Sequence, residues 1–263
     1  MKTNLLKQKL KKNIPCIGTF LRIPGSMPTE IVGLAGWDFV VFDLEHGVHS
    51  VSDIPAMKYA AAANGMSTVV RISTSKAIDV MRALDAGAES VQCPQITSVD
   101  QVREICEAAR FSPLGSRGSC SYTTGAQYAL TPFAEHMSTS NEQVLTIVHV
   151  ENVQSANMID QILEVPGIDV IFCGPWDLSQ SLGIPGDTKN PLVKDLIKKV
   201  AKTVTGKGVA CGMHIDDTSQ LREWLDAGMT YITCGSDAGF LAREAKRTIE
   251  VNRAEIEKWM QSK

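Results

Sequence analysis

Thr146-Ile147-Val148-His149-Val150-Glu151 and Asp169-Val170-Ile171-Phe172-Cys173-Gly174-Pro175-Trp176-Asp177 follow one pattern: an apolar, β-rich run that ends in a carboxylate. A charge just past a buried strand is costly unless something binds it. Two such carboxylates on successive strands suggest a hard divalent cation held by oxygen ligands.

The same alternation runs through the chain. Strands are predicted at 15–20, 39–44, 67–72, 90–93, 144–150, 169–173, 209–212 and 231–234. Helical periodicities fall between or after them, at 75–86, 99–109, 153–163, 191–206, 218–227 and 238–261. Eight strands, each followed by a helix, predict a single-domain α/β protein with the (β/α)8 TIM-barrel fold over 1–263. The strand runs are continuous rather than alternating, as strands covered on both faces should be. An open doubly wound sheet is the competing architecture, but Leu21-Arg22-Ile23-Pro24-Gly25-Ser26 lacks the glycine spacing of a dinucleotide loop. The echoed stretches Leu84-Asp85-Ala86-Gly87-Ala88 and Leu225-Asp226-Ala227-Gly228-Met229 each place a helix-capping glycine before a strand. A long irregular segment is expected at about 111–141, rich in Ser, Thr and Gly; a loop of that length in a compact domain is usually functional.

Composition narrows the partners. The 263 residues are 44% hydrophobic and carry a net charge of −3 with both signs interspersed, so nucleic acid is not an expected partner. No apolar run approaches the roughly 18 residues of a membrane helix, and Met1-Lys2-Thr3-Asn4-Leu5-Leu6-Lys7 has no signal-peptide core. Seven scattered cysteines without a CxxC pair read as small thiols, mostly buried, in a reducing, cytoplasmic setting. His49 and His136 read as surface or loop histidines.

In such a barrel the chemistry sits at the C-terminal ends of the strands. Polar residues there are Asp43, Glu45 and His46 after the second strand, and Arg71 on the third. Gln95, Glu151 and Asp177 follow the fourth, fifth and sixth, His214 and Asp216 the seventh, and Ser236 and Asp237 the eighth. Metal-type carboxylates, a histidine beside acids and an arginine are what enolisation of a 2-oxo acid needs.

Phe42-Asp43-Leu44-Glu45-His46-Gly47, Val70-Arg71, Leu84-Asp85-Ala86-Gly87-Ala88, Arg117-Gly118, Val150-Glu151 and Gly174-Pro175-Trp176-Asp177-Leu178-Ser179 occur in one order and spacing. In this the chain resembles the HpcH/HpaI-type class II pyruvate aldolases, over about residues 17 to 245. The resemblance implies a metal-dependent lyase that cleaves a 4-hydroxy-2-oxo acid to pyruvate and an aldehyde through a metal-bound pyruvate enolate. It implies that Glu151 and Asp177 hold the cation, Mg2+ or Mn2+, with Co2+ or Zn2+ as substitutes. Arg71 would contact pyruvate and stabilise the enolate, and His46, oriented by Asp43, would move the proton. Asp85 would reach a neighbouring subunit's site, in a homo-oligomer built as a trimer of dimers. Gly174 and the amides of Trp176 and Asp177 would cradle the substrate carboxylate.

Two positions depart from the family pattern. His149 stands where glutamine is usual, and would either donate a hydrogen bond to substrate or become a third metal ligand. Trp176 stands where a small residue is usual, and would narrow the acceptor pocket. Related enzymes leave an alternative: oxaloacetate decarboxylation, alone or with addition of the enolate to a pyrone as in a macrophomate-synthase-like enzyme, or citrate-lyase-β-like acyl-CoA cleavage. A barrel that only binds oxo acids is the non-enzymatic alternative. No lysine stands at a predicted strand end, which argues against Schiff-base chemistry.

Overall fold

The computed structural model describes residues 3–263; Met1 and Lys2, part of the N-terminal stretch read above, lie outside the described residues. The strands are β1 (Cys16–Leu21), β2 (Phe39–Asp43), β3 (Ser67–Arg71), β4 (Ser90–Cys93), β5 (Leu145–Val150), β6 (Val170–Cys173), β7 (Ala210–Ile215) and β8 (Tyr231–Ser236). All pair in parallel with their sequence neighbours, and β8 closes on β1. This is the predicted (β/α)8 barrel. The seventh and eighth strands run further than predicted, so His214 lies inside β7 rather than after it. Gly212, early in that strand, packs against Tyr231, where an added Cβ would meet the Tyr231 carbonyl oxygen at 1.9 Å.

Among the described residues twelve α-helices cover and cap the strands: α1 (Leu5–Lys11), α2 (Ser26–Leu34), α3 (Ile54–Ala63), α4 (Ala77–Asp85), α5 (Val99–Ala108), α6 (Phe133–Gln143), α7 (Val153–Asn157), α8 (Ile159–Ile162), α9 (Pro175–Ser181), α10 (Pro191–Gly206), α11 (Leu221–Asp226) and α12 (Asp237–Gln261). The echoed glycines end α4 and α11 alike. Gly87 and Gly228 take φ of 103° and 85°, and the next amides, of Ala88 and Met229, return to the carbonyls of Ala83 and Trp224. That is the left-handed cap that glycine supplies without a Cβ penalty.

The expected irregular segment at 111–141 contains α6 and a short 3-10 turn at Gln127–Ala129. The α6 sequence FAEHMSTSNEQ is poor in helix formers, and its buried residues are His136 and Ser140, so it carries no apolar stripe to read.

Between strands and helices lies a continuous apolar layer, and a second cluster fills the barrel's interior. Leu6 and Leu10 of α1 belong to that inner cluster. The Asn4 side chain caps α1 and bonds the Ser90 hydroxyl, and Lys7 Nζ donates to the Val144 carbonyl at 2.6 Å. So α1 plugs the end of the barrel at which the strands begin. At the other extreme, α12 leaves the barrel. Its residues from Leu241 onward are exposed, among them Leu241, Val251, Ile256, Trp259 and Met260. Among the described residues no helix is long and apolar enough to cross a membrane.

Candidate active site

At the mouth where the strands end, a cavity of about 430 Å³ is lined by Phe20, Arg22, His46, Arg71, His149, Glu151, Phe172, Gly174, Pro175, Trp176, Asp177, His214 and Asp216. Most of the residues expected from the sequence meet here, and the lining includes no lysine.

Glu151 and Asp177 face each other across Gly174. A Cβ built on Gly174 would stand 2.7 Å from the Glu151 Cβ, 3.1 Å from its Oε2 and 3.7 Å from Asp177 Oδ2. A side chain at 174 would displace Glu151, so glycine leaves room for that carboxylate beside Asp177. Burial alone would push the Glu151 carboxyl up. The charge and hydrogen bond of His149, the Gln95 amide and the Arg71 charge outweigh it and hold the group below its usual range. Asp177 lacks that support, and burial together with the Glu151 charge raises it. Two anionic oxygens gathered at their own electrostatic expense fit a hard cation. Among the described residues no three His, Cys, Asp or Glu side chains form a full cage. That donor set suits a Mg2+-like ion, which uses one or two carboxylates and keeps water or substrate oxygens for the rest.

His149 has no nitrogen to spare. Buried in β5, its Nδ1 lies 2.7 Å from Glu151 Oε2 and its Nε2 lies 2.7 Å from Gln92 Nε2. The Tyr231 hydroxyl donates to Gln92 Oε1 at 2.8 Å, which turns the Gln92 amide group toward His149 as donor. The imidazole therefore accepts at Nε2 and donates from Nδ1 to Glu151, and its face stacks on Phe172 with ring centroids 4.7 Å apart. This corrects the sequence reading of His149 as a substrate-binding residue or third ligand: the ring holds a carboxylate.

Asp43, fully buried at the end of β2, gathers two arginines. Arg71 Nε donates to Oδ1 at 2.8 Å and Nη2 to Oδ2 at 2.6 Å, and Arg22 Nε donates to Oδ2 at 2.9 Å. Burial works to raise the Asp43 carboxyl, but Arg71, Arg22 and the His46 amide bring it down to about 2. The expected Asp43–His46 dyad is not formed through the ring. Asp43 Oδ1 accepts the backbone amides of Glu45 and His46, and the carboxylate nearest the imidazole is Glu45, at 3.8 Å. Glu45, given no role from the sequence, also pairs with Arg71 Nη1 at 3.1 Å. The His46 side chain is exposed at the rim.

Other expectations change. Gly174 donates its amide to the Val150 carbonyl, so it has none for a substrate carboxylate. The Trp176 and Asp177 amides are the second and third of α9, positions without an intrahelical acceptor. Trp176 is half-exposed, with its ring edge against Gly186 of the next loop. Asp85 is not at the mouth. It ends α4 at the opposite end of the barrel, paired with Arg117 at 2.6 Å. Arg22 was missed, although it directly follows β1, and the strand-end rule that found Arg71 would have found it.

His49 lies in the loop after β2, as read, whereas His136 falls in α6, and both are buried. His49 Nε2 bonds the Leu21 carbonyl at 2.8 Å, and His136 lies between Phe111 and Phe133. Burial, the largest cause in each case, brings both His136 and His214 down to about 4. The unfolded chain protonates these rings near pH 6.5. Between about 6.5 and 4 it therefore binds more protons than the folded one, and stability falls as pH falls through that window. His136→Gln removes one such group, so its urea midpoint should drop less steeply than wild type between pH 6.5 and 4.5. Parallel curves would show that His136 takes up its proton equally in both states.

The family model described as HpcH/HpaI aldolase/citrate lyase matches residues 17–244. A hydroxypyruvate/pyruvate aldolase of Paraburkholderia phytofirmans is 29% identical over 258 residues, 96% of this chain and 98% of that protein. A 4-hydroxy-2-oxo-heptane-1,7-dioate aldolase of Escherichia coli is 29% identical over 92% of each chain. A solved HpcH/HpaI aldolase/citrate lyase family protein from Burkholderia cenocepacia superposes with a TM-score of 0.90 at 32% identity, over 95% of this chain and 100% of that one.

Proposed function

Because the chain belongs to the HpcH/HpaI aldolase/citrate lyase family, we propose that it is a class II aldolase, cleaving a 4-hydroxy-2-oxo acid to pyruvate and an aldehyde. The observation that carries this reading is the convergence of Glu151 and Asp177 over Gly174, with Arg71 on the same cavity wall. A divalent cation held by Glu151 and Asp177 would supply Lewis-acid polarisation of the 2-oxo acid.

The chain's own residues do the rest. Three of the five Arg71 N–H groups are committed to Asp43 and Glu45. The remaining two are available to negative charge on the 2-oxo oxygen, and Asp43 fixes the guanidinium's plane. His149 holds Glu151 in place. In cleavage, a base at the rim takes the 4-hydroxyl proton. The C3–C4 bond breaks, its electron pair passes into the enolate, and a proton returns to C3, so atoms and charge balance. His46, exposed at the rim beside Glu45, is the group free to carry that proton. Trp176 stands where the aldehyde enters and shapes its choice. The absence of lysine from the lining favours this route over a Schiff base.

The exposed apolar side chains of α12 support a homo-oligomer. Asp85, at the far end of the barrel from this chain's own cavity, would serve a neighbour's site.

The deciding experiment is a screen of 4-hydroxy-2-oxo acids with Mg2+, Mn2+ or Co2+, with EDTA and borohydride controls. The expected result is pyruvate release that EDTA stops and added metal restores, with no borohydride-trapped adduct. Turnover that survives EDTA, or a trapped adduct, would overturn the proposal.

A further inference from the structure

Just past β4, the backbone of Gln95 is left-handed, with φ of 55°. A residue with a Cβ rarely adopts that conformation and keeps it only where its surroundings enforce it. Here the peptides on both sides are pinned. The Ser75 hydroxyl donates to the Pro94 carbonyl. Asn152 Nδ2 donates to the Ile96 carbonyl at 2.9 Å, and the Ile96 side chain is fully buried. The turn brings the Gln95 amide onto Glu151 Oε1, to which it donates, while the other Glu151 oxygen faces His149 Nδ1. The Gln95 side chain reaches the loop after β2, where its Nε2 donates to Glu45 Oε1 at 2.8 Å. That leaves Glu45 Oε2 for Arg71 Nη1, at 3.1 Å, and for His46 Nε2, 3.8 Å away.

Resting on the aldolase reading above, we propose that Gln95 is a positioning residue that couples the two halves of the site: its backbone amide fixes the metal carboxylate Glu151, and its side chain fixes Glu45, which in turn orients His46 toward the 4-hydroxyl. With a donor on each oxygen, Glu151 has one orientation to offer a cation. Glu45 is contested. Without Gln95 its carboxylate can turn both oxygens to the Arg71 guanidinium, the pairing that arginine favours, and leave the imidazole alone. With Oε1 held by Gln95, Oε2 serves arginine and histidine together. The 3.8 Å contact to His46 is longer than a hydrogen bond, as base–orienter contacts often are before substrate tightens them.

Two substitutions separate the arms. Gln95→Gly keeps the amide and adopts the left-handed turn without strain, but has no side chain for Glu45. Its Mn2+ affinity, read by calorimetry, should stay close to wild type. Its pyruvate release from a 4-hydroxy-2-oxo acid should fall about tenfold further than its oxaloacetate decarboxylation, which deprotonates no hydroxyl; His46 remains, so the loss stays below that of removing the base. Gln95→Val is β-branched and leaves the left-handed region, taking the amide off Glu151. Its Mn2+ affinity should fall about 10–100-fold, the usual cost of a lost support behind a ligand. Glu45→Ala should lower the cleavage-to-decarboxylation ratio as Gln95→Gly does, and the double variant no further, because both remove one contact. An unchanged ratio in Gln95→Gly, additive losses in the double variant, or Mn2+ affinities that fall equally in Gln95→Gly and Gln95→Val overturn the proposal. Gln95→Gly keeps the test decisive should Gln95→Val not fold. Mn2+ binding by the wild type without cleavage of any 4-hydroxy-2-oxo acid overturns the aldolase reading and the Glu45–His46 arm, and a weakened Gln95→Val would then still uphold the Glu151 arm. Absence of both overturns the two together.

Discussion

Asp177→Asn and Glu151→Gln should each abolish metal-dependent turnover while the barrel stays folded. A hard cation needs anionic oxygens, and this site has two, drawn together over a glycine. The Asp177 carboxyl is raised by burial and by the charge of Glu151, so neutralising Asp177 relieves a repulsion. Asp177→Asn should therefore bind Mn2+ far more weakly than wild type without lowering the metal-free Tm. His149→Ala should fall between. It keeps both carboxylates but frees Glu151 from its Nδ1 donor, and losing such a support typically costs about 10–100-fold in metal affinity. Calorimetric Mn2+ titration, with thermal melts of the stripped proteins, tests all three. Either carboxylate variant turning over at near wild-type rate in metal-stripped buffer with Mg2+ restored would sink the assignment.

Arg71→Ala should lose both aldol cleavage and oxaloacetate decarboxylation, by about 10²–10³-fold, the usual cost of removing one donor from a developing oxyanion. Both reactions pass through the enolate of pyruvate, so one missing cation should slow them alike. Arg71→Lys should not rescue, because a lysine cannot reproduce the two-pronged contact with Asp43. Arg22 still pairs with Asp43 in either variant, so the carboxylate is not left bare. Decarboxylation within tenfold of wild type in a folded Arg71→Ala protein would assign the arginine to architecture alone.

The barrel was legible because its strands are buried on both faces and read as unbroken apolar runs, each met by helical periodicity. That Glu151, Asp177, Arg71 and His46 would meet in one cavity was legible because all four stand at strand ends of a barrel. The misread contacts of the site share one cause: sequence spacing does not reveal contacts made across the barrel. His149 and Glu151 are two apart on one strand and so share a face, which hints at their bond. Nothing in the spacing shows Gln92 turned by Tyr231 from the far side of the interior. The Asp43–His46 dyad was what the family resemblance implied. In the folded chain the arginines of two other strand ends claim the carboxylate first. Helix α6 escaped because its buried side is polar, and His136 escaped with it.

The side chains that fill the barrel's interior, closed from below by α1, make the mouth cavity a well with a floor. Glu151 lies deep in that well, with 6% of its surface exposed, whereas Arg22, Asp216 and Trp176 stand nearer the rim. When two pieces are joined or parted in such a well, the piece at the floor enters first and leaves last. On the proposed aldolase reading, that geometry would impose an order on events: the aldehyde would depart ahead of pyruvate, and pyruvate left at the floor would block the next turnover until it too had gone.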